Sequence, residues 1–133
     1  MSAVENKRIL QEVFEALEAG DGKPFLDSLS DDISWTVIGT TPWSRTYSGK
    51  AVLQSELLGP VFAQFADRFT NRATRFIAED DYVVVESRGR VMTKSGNTYD
   101  NAYCYVCRFA SGQMVDVTEY LDTALVERVL QSP

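Results

Sequence analysis

From Arg68 onward, apolar residues stop recurring every third or fourth position and begin to alternate, and this change of period constrains the fold more than any other feature. The alternation predicts strands over about residues 68–78, 82–93, 98–109 and 114–120. Glu79-Asp80-Asp81, Ser95-Gly96-Asn97 and Ala110-Ser111-Gly112 separate them. Connections this short make the strands antiparallel neighbours, because a parallel crossover needs a dozen or more residues.

The first half of the chain supplies the helices. Ile9, Leu10, Val13, Phe14 and Leu17 recur at helical spacing opposite Glu12, Glu15 and Glu18, predicting a helix over about 4–19 that Gly20-Asp21-Gly22 stops. Pro24 opens a short second helix through Leu29. Ile33, Trp35 and Val37 then alternate with Ser34 and Thr36 in a first strand ending near Gly39. Residues 39–49 read as an irregular loop holding Trp43 and Tyr47. A helix follows from about Ala51, with a stripe of Val52, Leu53, Leu57, Val61, Phe62 and Phe65 that Pro60 kinks. Asp122 caps a last helix bearing Leu125 and Val129. The economical architecture is α+β, a curved antiparallel sheet covered on one face by the N-terminal and middle helices, with residues 1–133 as a single domain. Helices laid across a curved sheet leave a hollow, so polar residues on inward positions mark a site.

Composition narrows the chemistry. The 133 residues are 44% apolar and 24% charged, a globular balance. Thirteen basic against nineteen acidic residues give a net charge of −6, and no Lys/Arg run offsets it, which argues against nucleic-acid binding. Residues 1–6 are polar and no apolar run reaches membrane-spanning length, so neither a leader nor a membrane is expected and the cytoplasm is the default. Histidine is absent, which removes His-based zinc sites and Ser-His or Cys-His relays. Acid–base work near neutral pH then falls to a carboxylate, Tyr, Cys or Lys with a shifted pKa. Cys104 and Cys107 project from opposite faces of a strand and favour neither a disulfide nor a shared metal. No glycine motif has nucleotide-loop spacing, Asp31-Asp32 is a weak metal signal and Asp80-Asp81 reads as a solvated turn, so no cofactor or metal is expected.

Parity nominates the site. In the last strand Val115, Val117 and Glu119 share a face, with Met114, Asp116, Thr118 and Tyr120 on the other. Glu119 therefore either lines a pocket or sits at a solvated strand end. Asn101, Tyr103, Tyr105, Cys107 and Phe109 share a face whose aromatic and polar mixture suits a small-molecule pocket or a dimer contact. Glu86, Arg88 and Arg90 fall together, either as a solvated ion-paired face or with one Arg turned inward against Glu119 or Glu86. Trp35, Trp43 and Tyr47 are candidates to close one pocket wall.

Several motifs then coincide in order and spacing. Ala19-Gly20-Asp21 ends the first helix, and Leu29-Ser30-Asp31-Asp32 leads into Ile33-Ser34-Trp35-Thr36-Val37-Ile38-Gly39. Tyr47-Ser48-Gly49 precedes the next helix, Asn101-Ala102-Tyr103 precedes Arg108-Phe109-Ala110-Ser111-Gly112, and Glu119-Tyr120-Leu121-Asp122 closes the sheet. Over nearly its whole length the chain resembles the SnoaL-like branch of the nuclear-transport-factor-2 and ketosteroid-isomerase superfamily. The resemblance implies a cone-shaped α+β barrel, often a homodimer, with an elongated pocket between sheet and helices. Family members include polyketide cyclases, steroid isomerases and limonene-epoxide hydrolases.

Residue by residue, the match is selective. Val37, Val13 and Tyr105 stand where ketosteroid isomerases carry their aspartate, tyrosine and partner acid, which disfavours steroid isomerisation. Glu119 matches the last-strand aspartate of the epoxide hydrolases, but Arg88-Gly89-Arg90 stands where those enzymes have Arg-x-Asp. Tyr47 and Asn101 are the nearest counterparts of their water-positioning pair. Polyketide cyclases also use an acidic residue in the last strand.

The expected function is a pocket for a small, mostly apolar molecule bearing an oxygen group. Glu119 would act as general base in isomerisation, cyclisation or hydrolysis, with Asn101, Tyr105 or Arg88 holding the developing oxyanion. Trp35, Trp43, Tyr47, Glu86, Tyr103 and Tyr105 would contact the substrate. The alternative is a noncatalytic ligand-binding or oligomerisation domain.

Overall fold

The computed structural model describes residues 2–133. Helix α1 spans Ala3–Glu18, and its start is a capping box. Ser2 Oγ accepts from the Glu5 N–H at 3.2 Å, and Glu5 Oε1 accepts from the Ser2 N–H at 3.2 Å. Helix α2 (Lys23–Asp27) leads into β1 (Leu29–Val37), which begins four residues before Ile33 and shifts register between Leu29 and Ser34. The expected loop contains a short strand, β2 (Thr46–Ser48), paired with Ser34, Trp35 and Thr36.

The middle helix is broken into α3 (Lys50–Leu53), a π-helical turn (Gln54–Leu58) and α4 (Gly59–Phe62). Pro60 has no N–H and its ring clashes with the preceding turn, and the chain widens just before it. The Gly59 N–H reaches back five residues to the Gln54 carbonyl. A Cβ at Gly59 would stand 2.9 Å from that oxygen, so the tight approach requires glycine.

Four strands follow, β3 (Thr70–Glu79), β4 (Tyr82–Arg90), β5 (Ala102–Ala110) and β6 (Gln113–Leu121), and then α5 (Thr123–Val129), whose N-cap is Asp122. The β4 and β5 ladder stops short of its expected length. At its tip Asp100 Oδ1 accepts from the Val91 N–H at 3.1 Å, and only an isolated bridge joins Met92 to Thr98.

The sheet order is β2-β1-β6-β5-β4-β3, and this corrects two expectations. The sheet is mixed, because β1 and β6 run parallel with Trp35 opposite Val117 and Val37 opposite Glu119. It is also open, with β2 and β3 as its two edges, so the cone-shaped antiparallel barrel does not form. Hairpin logic fixes only strands adjacent in sequence. The pairing of the first long strand with the last is made across the length of the chain, and short turns carry no information about it.

A second correction concerns β6. Arg108 pairs with Asp116 and Phe109 with Met114, so one residue, Val115, is inserted as a bulge. Parity flips there, and Met114 joins Val117 in the core, both under 2% exposed. Helix α1 lays Leu10, Val13 and Phe14 against β3 and β4, where Val83 and Val85 are buried. No helix among the described residues is long and apolar enough to cross a membrane.

Candidate functional site

Between the inner sheet face and the helices lies a cavity of about 120 Å³. Its size is close to the ~150 Å³ apolar cavity that accepts a benzene ring. Leu10, Phe14 and Leu17 of α1 form one wall, Leu57, Leu58 and Val61 of the broken middle helix another, and the sheet supplies Trp35, Val37, Tyr103, Tyr105, Cys107, Met114 and Glu119. Leu17, Phe25, Leu58, Phe62 and Phe69 line both this cavity and a shallower depression outside it, and so mark the mouth. Three of the rings at or beside it pack closely, Phe62 on Phe65 at 5.0 Å and on Phe69 at 5.3 Å between centroids.

Among the described residues, Glu119 is the one carboxylate on the cavity wall, and no Lys or Arg lines it. It is half-buried, and Trp35 Nε1 donates a 2.9 Å hydrogen bond to its Oε1. Burial pushes its carboxyl up from 4.5 to about 7, against the Trp35 bond, which pulls it down. Both residues sit where they do because β1 and β6 are parallel neighbours with inward positions in phase.

Aromatic rings surround this pair. Trp35 stands 5.9 Å from Tyr105 and 5.7 Å from Phe25, and Tyr105 stacks on Tyr103 at 5.3 Å. Burial raises the Tyr103 and Tyr105 hydroxyls well above 10 and Tyr99 to about 12, so all three remain hydrogen-bond donors at any ordinary pH. Cys107 also lines the cavity, and burial pushes its thiol up. It is a free cysteine and is un-ionised there.

The other residues singled out from the sequence fall in different places. Trp43 lines the cavity with its ring while Nε1 donates to the Gln131 carbonyl at 3.0 Å, pinning the C-terminal tail. Tyr47 is buried behind it, donating to the Trp43 carbonyl at 2.8 Å beneath the Arg45 guanidinium. It is not part of the cavity wall. Asn101 is fully buried, and its whole amide is committed. Nδ2 donates to the Tyr99 hydroxyl and the Asp122 carbonyl, each at 3.2 Å, and Oδ1 accepts from the Asp122 N–H at 3.0 Å. It joins β5 to the start of α5, both of its amide hydrogens are used, and it does not line the cavity.

Arg88 and Glu86 lie on the opposite face of the sheet. Val83, Val85, Ser87 and Gly89 take the inward positions of β4, leaving Arg88 exposed and Glu86 paired with Arg75 at 2.6 Å. A guanidinium inside this cavity would need a partner worth its desolvation, and outward parity avoids that cost.

Asn71 and Tyr99 also line the cavity. Neither was singled out from the sequence. Tyr99 lies just outside β5, and Asn71 sits between Thr70 and Arg72 on a strand rich in exposed polar residues, so alternation alone gave it no distinction. Among the described residues no group of three or more His, Cys, Asp or Glu side chains is placed to hold a metal ion.

Comparison with known families matches residues 10–117 to the SnoaL-like domain. A search of curated proteins returned no match. Solved structures share the fold along nearly the whole chain. An NTF2-like protein of unknown function from Burkholderia pseudomallei K96243 is 25% identical with a TM-score of 0.81, over 99% of this chain and 100% of that one. A SnoaL-like polyketide cyclase, so described provisionally, from Jannaschia sp. CCS1 is 15% identical with a TM-score of 0.79, over 98% and 94%. TerC, co-crystallised with polyporic acid, is 19% identical with a TM-score of 0.78, over 96% and 99%.

Proposed function

This chain belongs to the SnoaL-like domain family, within the NTF2-like superfamily, and on that premise we propose that it binds a small, ring-sized, mostly apolar molecule bearing an oxygen group and moves a proton on it. The observation that carries the reading is Glu119, a lone carboxylate on an aromatic cavity wall whose pKa burial brings to about 7. A base poised there is half-ionised at neutral pH, where proton transfer to and from carbon or water is most efficient.

In this mechanism the substrate enters past Phe62 and Phe69, and the apolar walls hold its ring. Glu119 Oε2, the oxygen not bonded to Trp35, removes a proton from a carbon beside a carbonyl or from an attacking water. The Trp35 N–H keeps the carboxylate oriented and stabilises its ionised form. Charge developing on the substrate oxygen is met by a tyrosine hydroxyl, with Tyr105 placed opposite Glu119 in the β5–β6 register. Proton return from Glu119 to a second position completes an isomerisation or cyclisation. In a hydrolysis the activated water forms a C–O bond as an epoxide C–O bond breaks, and the released oxygen takes up the proton that Glu119 removed from the water. The polyketide cyclase and the polyporic-acid complex among the similar structures support a ring-containing substrate.

The noncatalytic alternative is less well supported. Its oligomerisation form would be supported by Tyr103 and Tyr105 on an outer contact surface or by a filled hollow, whereas both rings line the cavity. A noncatalytic binder fits the same cavity and differs only in leaving Glu119 without a proton to move. Glu119→Gln keeps the shape of the site and removes the base. With a substrate found by screening small cyclic ketones, enols and epoxides, the variant should retain binding and lose about 10²–10⁴-fold in turnover. Unchanged turnover would exclude Glu119 as the base.

A further inference from the structure

Among the described residues, two polar atoms on the inward face of the sheet have no hydrogen-bond partner, Asn71 Oδ1 and Ser87 Oγ. Each residue is 2% exposed, and Asn71 lines the cavity. They stand on adjacent strands, Asn71 opposite Gly89 and Ser87 opposite Ala73, one diagonal step apart. Gly89 leaves the intervening position without a side chain. A buried acceptor without a donor is costly, and the position would be filled more favourably by an apolar residue unless something supplies that donor.

The neighbouring hydroxyl defines what the donor must be. Asn71 Nδ2 donates to the Tyr105 hydroxyl oxygen at 3.3 Å. Among the described residues the Tyr105 hydroxyl donates to no protein group, so its proton is free for a ligand. The wall thus offers one acceptor, Asn71 Oδ1, beside one donor, Tyr105 O–H. A hydroxyl group satisfies both at once, since it donates one hydrogen bond and accepts another. An ether oxygen satisfies only the donor, and a hydrocarbon neither.

We propose that Asn71 and Tyr105 form a hydroxyl-recognition subsite, so that the ligand is a hydroxylated ring, a phenol or cyclic enol, anchored at Asn71 with its ring in the apolar cavity. The inference rests on the proposed small-molecule role of the cavity and adds the identity of the oxygen group. Asn71 is a specificity residue in it, and Glu119 is the reacting group. The hydroxyl is anchored on the side of the cavity bordered by Phe69, which precedes Asn71 by two residues and also lines the mouth.

Calorimetric titration of the full chain with phenol, anisole and toluene tests this. The three probes share one ring and differ in offering a hydroxyl, an ether oxygen or neither. Phenol should bind the wild type about tenfold more tightly than anisole or toluene, the effect of one added hydrogen bond. Asn71→Leu should remove that preference while leaving toluene affinity unchanged. Tyr105→Phe, which keeps the ring and its packing, should reduce it as well, and Glu119→Gln should leave it intact. Equal binding of phenol and anisole would overturn the subsite and leave the cavity reading standing. So would a phenol preference that survives Asn71→Leu and Tyr105→Phe, or one abolished by Glu119→Gln alone. Failure of all three probes to bind, toluene included, would overturn the cavity reading and the subsite with it.

Discussion

Trp35 Nε1 lies 2.9 Å from Glu119 Oε1, a hydrogen bond between side chains 84 residues apart in sequence and on adjacent parallel strands. It is the sole hydrogen bond that opposes the effect of burial on this carboxyl. Trp35→Phe keeps a ring in the wall and deletes the donor. The Glu119 carboxyl should then titrate above about 7, and the pH–rate profile should move its midpoint in the same direction. Carbon-13 NMR of the labelled glutamate carboxyl reads the shift directly, and a downward or null shift would contradict the assignment.

Glu119 also makes stability depend on pH. Its folded-state value of about 7 lies above the ordinary 4.5, so the folded protein holds the proton more tightly than the unfolded chain. The associated stabilisation is fully present below pH 4.5 and is lost as pH rises through 7. The full span is at most about 3.5 kcal/mol, since one pKa unit is worth ~1.4 kcal/mol. Glu119→Gln abolishes this dependence. Urea denaturation should find the variant and the wild type close in stability at pH 5 and the variant the more stable at pH 8. Parallel behaviour at both values would show that the carboxyl is not shifted.

Asn101 should behave as a structural residue. Asn101→Ala would leave the Asp122 N–H and carbonyl and the Tyr99 hydroxyl without the amide that now joins them. A loss of about 2–4 kcal/mol is expected from the unsatisfied groups and the void. Denaturation midpoints would fall, while kcat for the proposed reaction, measured on the remaining folded protein, would change little. A large kcat effect with unaltered stability would return Asn101 to the chemistry.

Gly89 should be intolerant of even one methyl group. A Cβ there would meet Tyr103 Cε2 at 2.9 Å and Phe69 Cε1 at 3.0 Å. Both rings line the cavity, and Tyr103 is stacked on Tyr105, so relief comes by pushing rings into the binding space. Gly89→Ala should cost about 1–3 kcal/mol and weaken binding of any ring ligand. Thermal unfolding with and without ligand measures both effects.

The contrast between what was legible and what was not follows the range of the interactions involved. Capping by Asp122 and the alternation of β4 depend on neighbours in sequence, and each could be read from the spacing of side chains. Parity put Glu119 on one face with Val117 but left open whether it lines a pocket or ends a solvated strand. The same spacing put Met114 on the wrong face, because the bulge at Val115 leaves no signature in an alternating run. Arg88 shares a face with Glu86 and Arg90 and stands near the Arg-x-Asp position of related enzymes, which left its facing open; the inward Val83, Val85 and Ser87 turn it outward. Tyr103 and Tyr105 were placed on a common face, but only the packed helices decide that this face borders a cavity. Asn71 was missed because its importance lies in a bond it does not make.

The parallel ladder between β1 and β6 ties the carboxylate to the folding reaction itself. Its donor comes from the chain's first long strand and its acceptor from the last, so no contiguous fragment lacking either end can contain an assembled site. Closing so distant a contact is entropically slow and comes after local turns and hairpins have formed. A fragment that lacks β1 or β6 would therefore lack the Trp35–Glu119 pair, and in refolding the proposed proton-transfer activity should appear only once these two strands have paired.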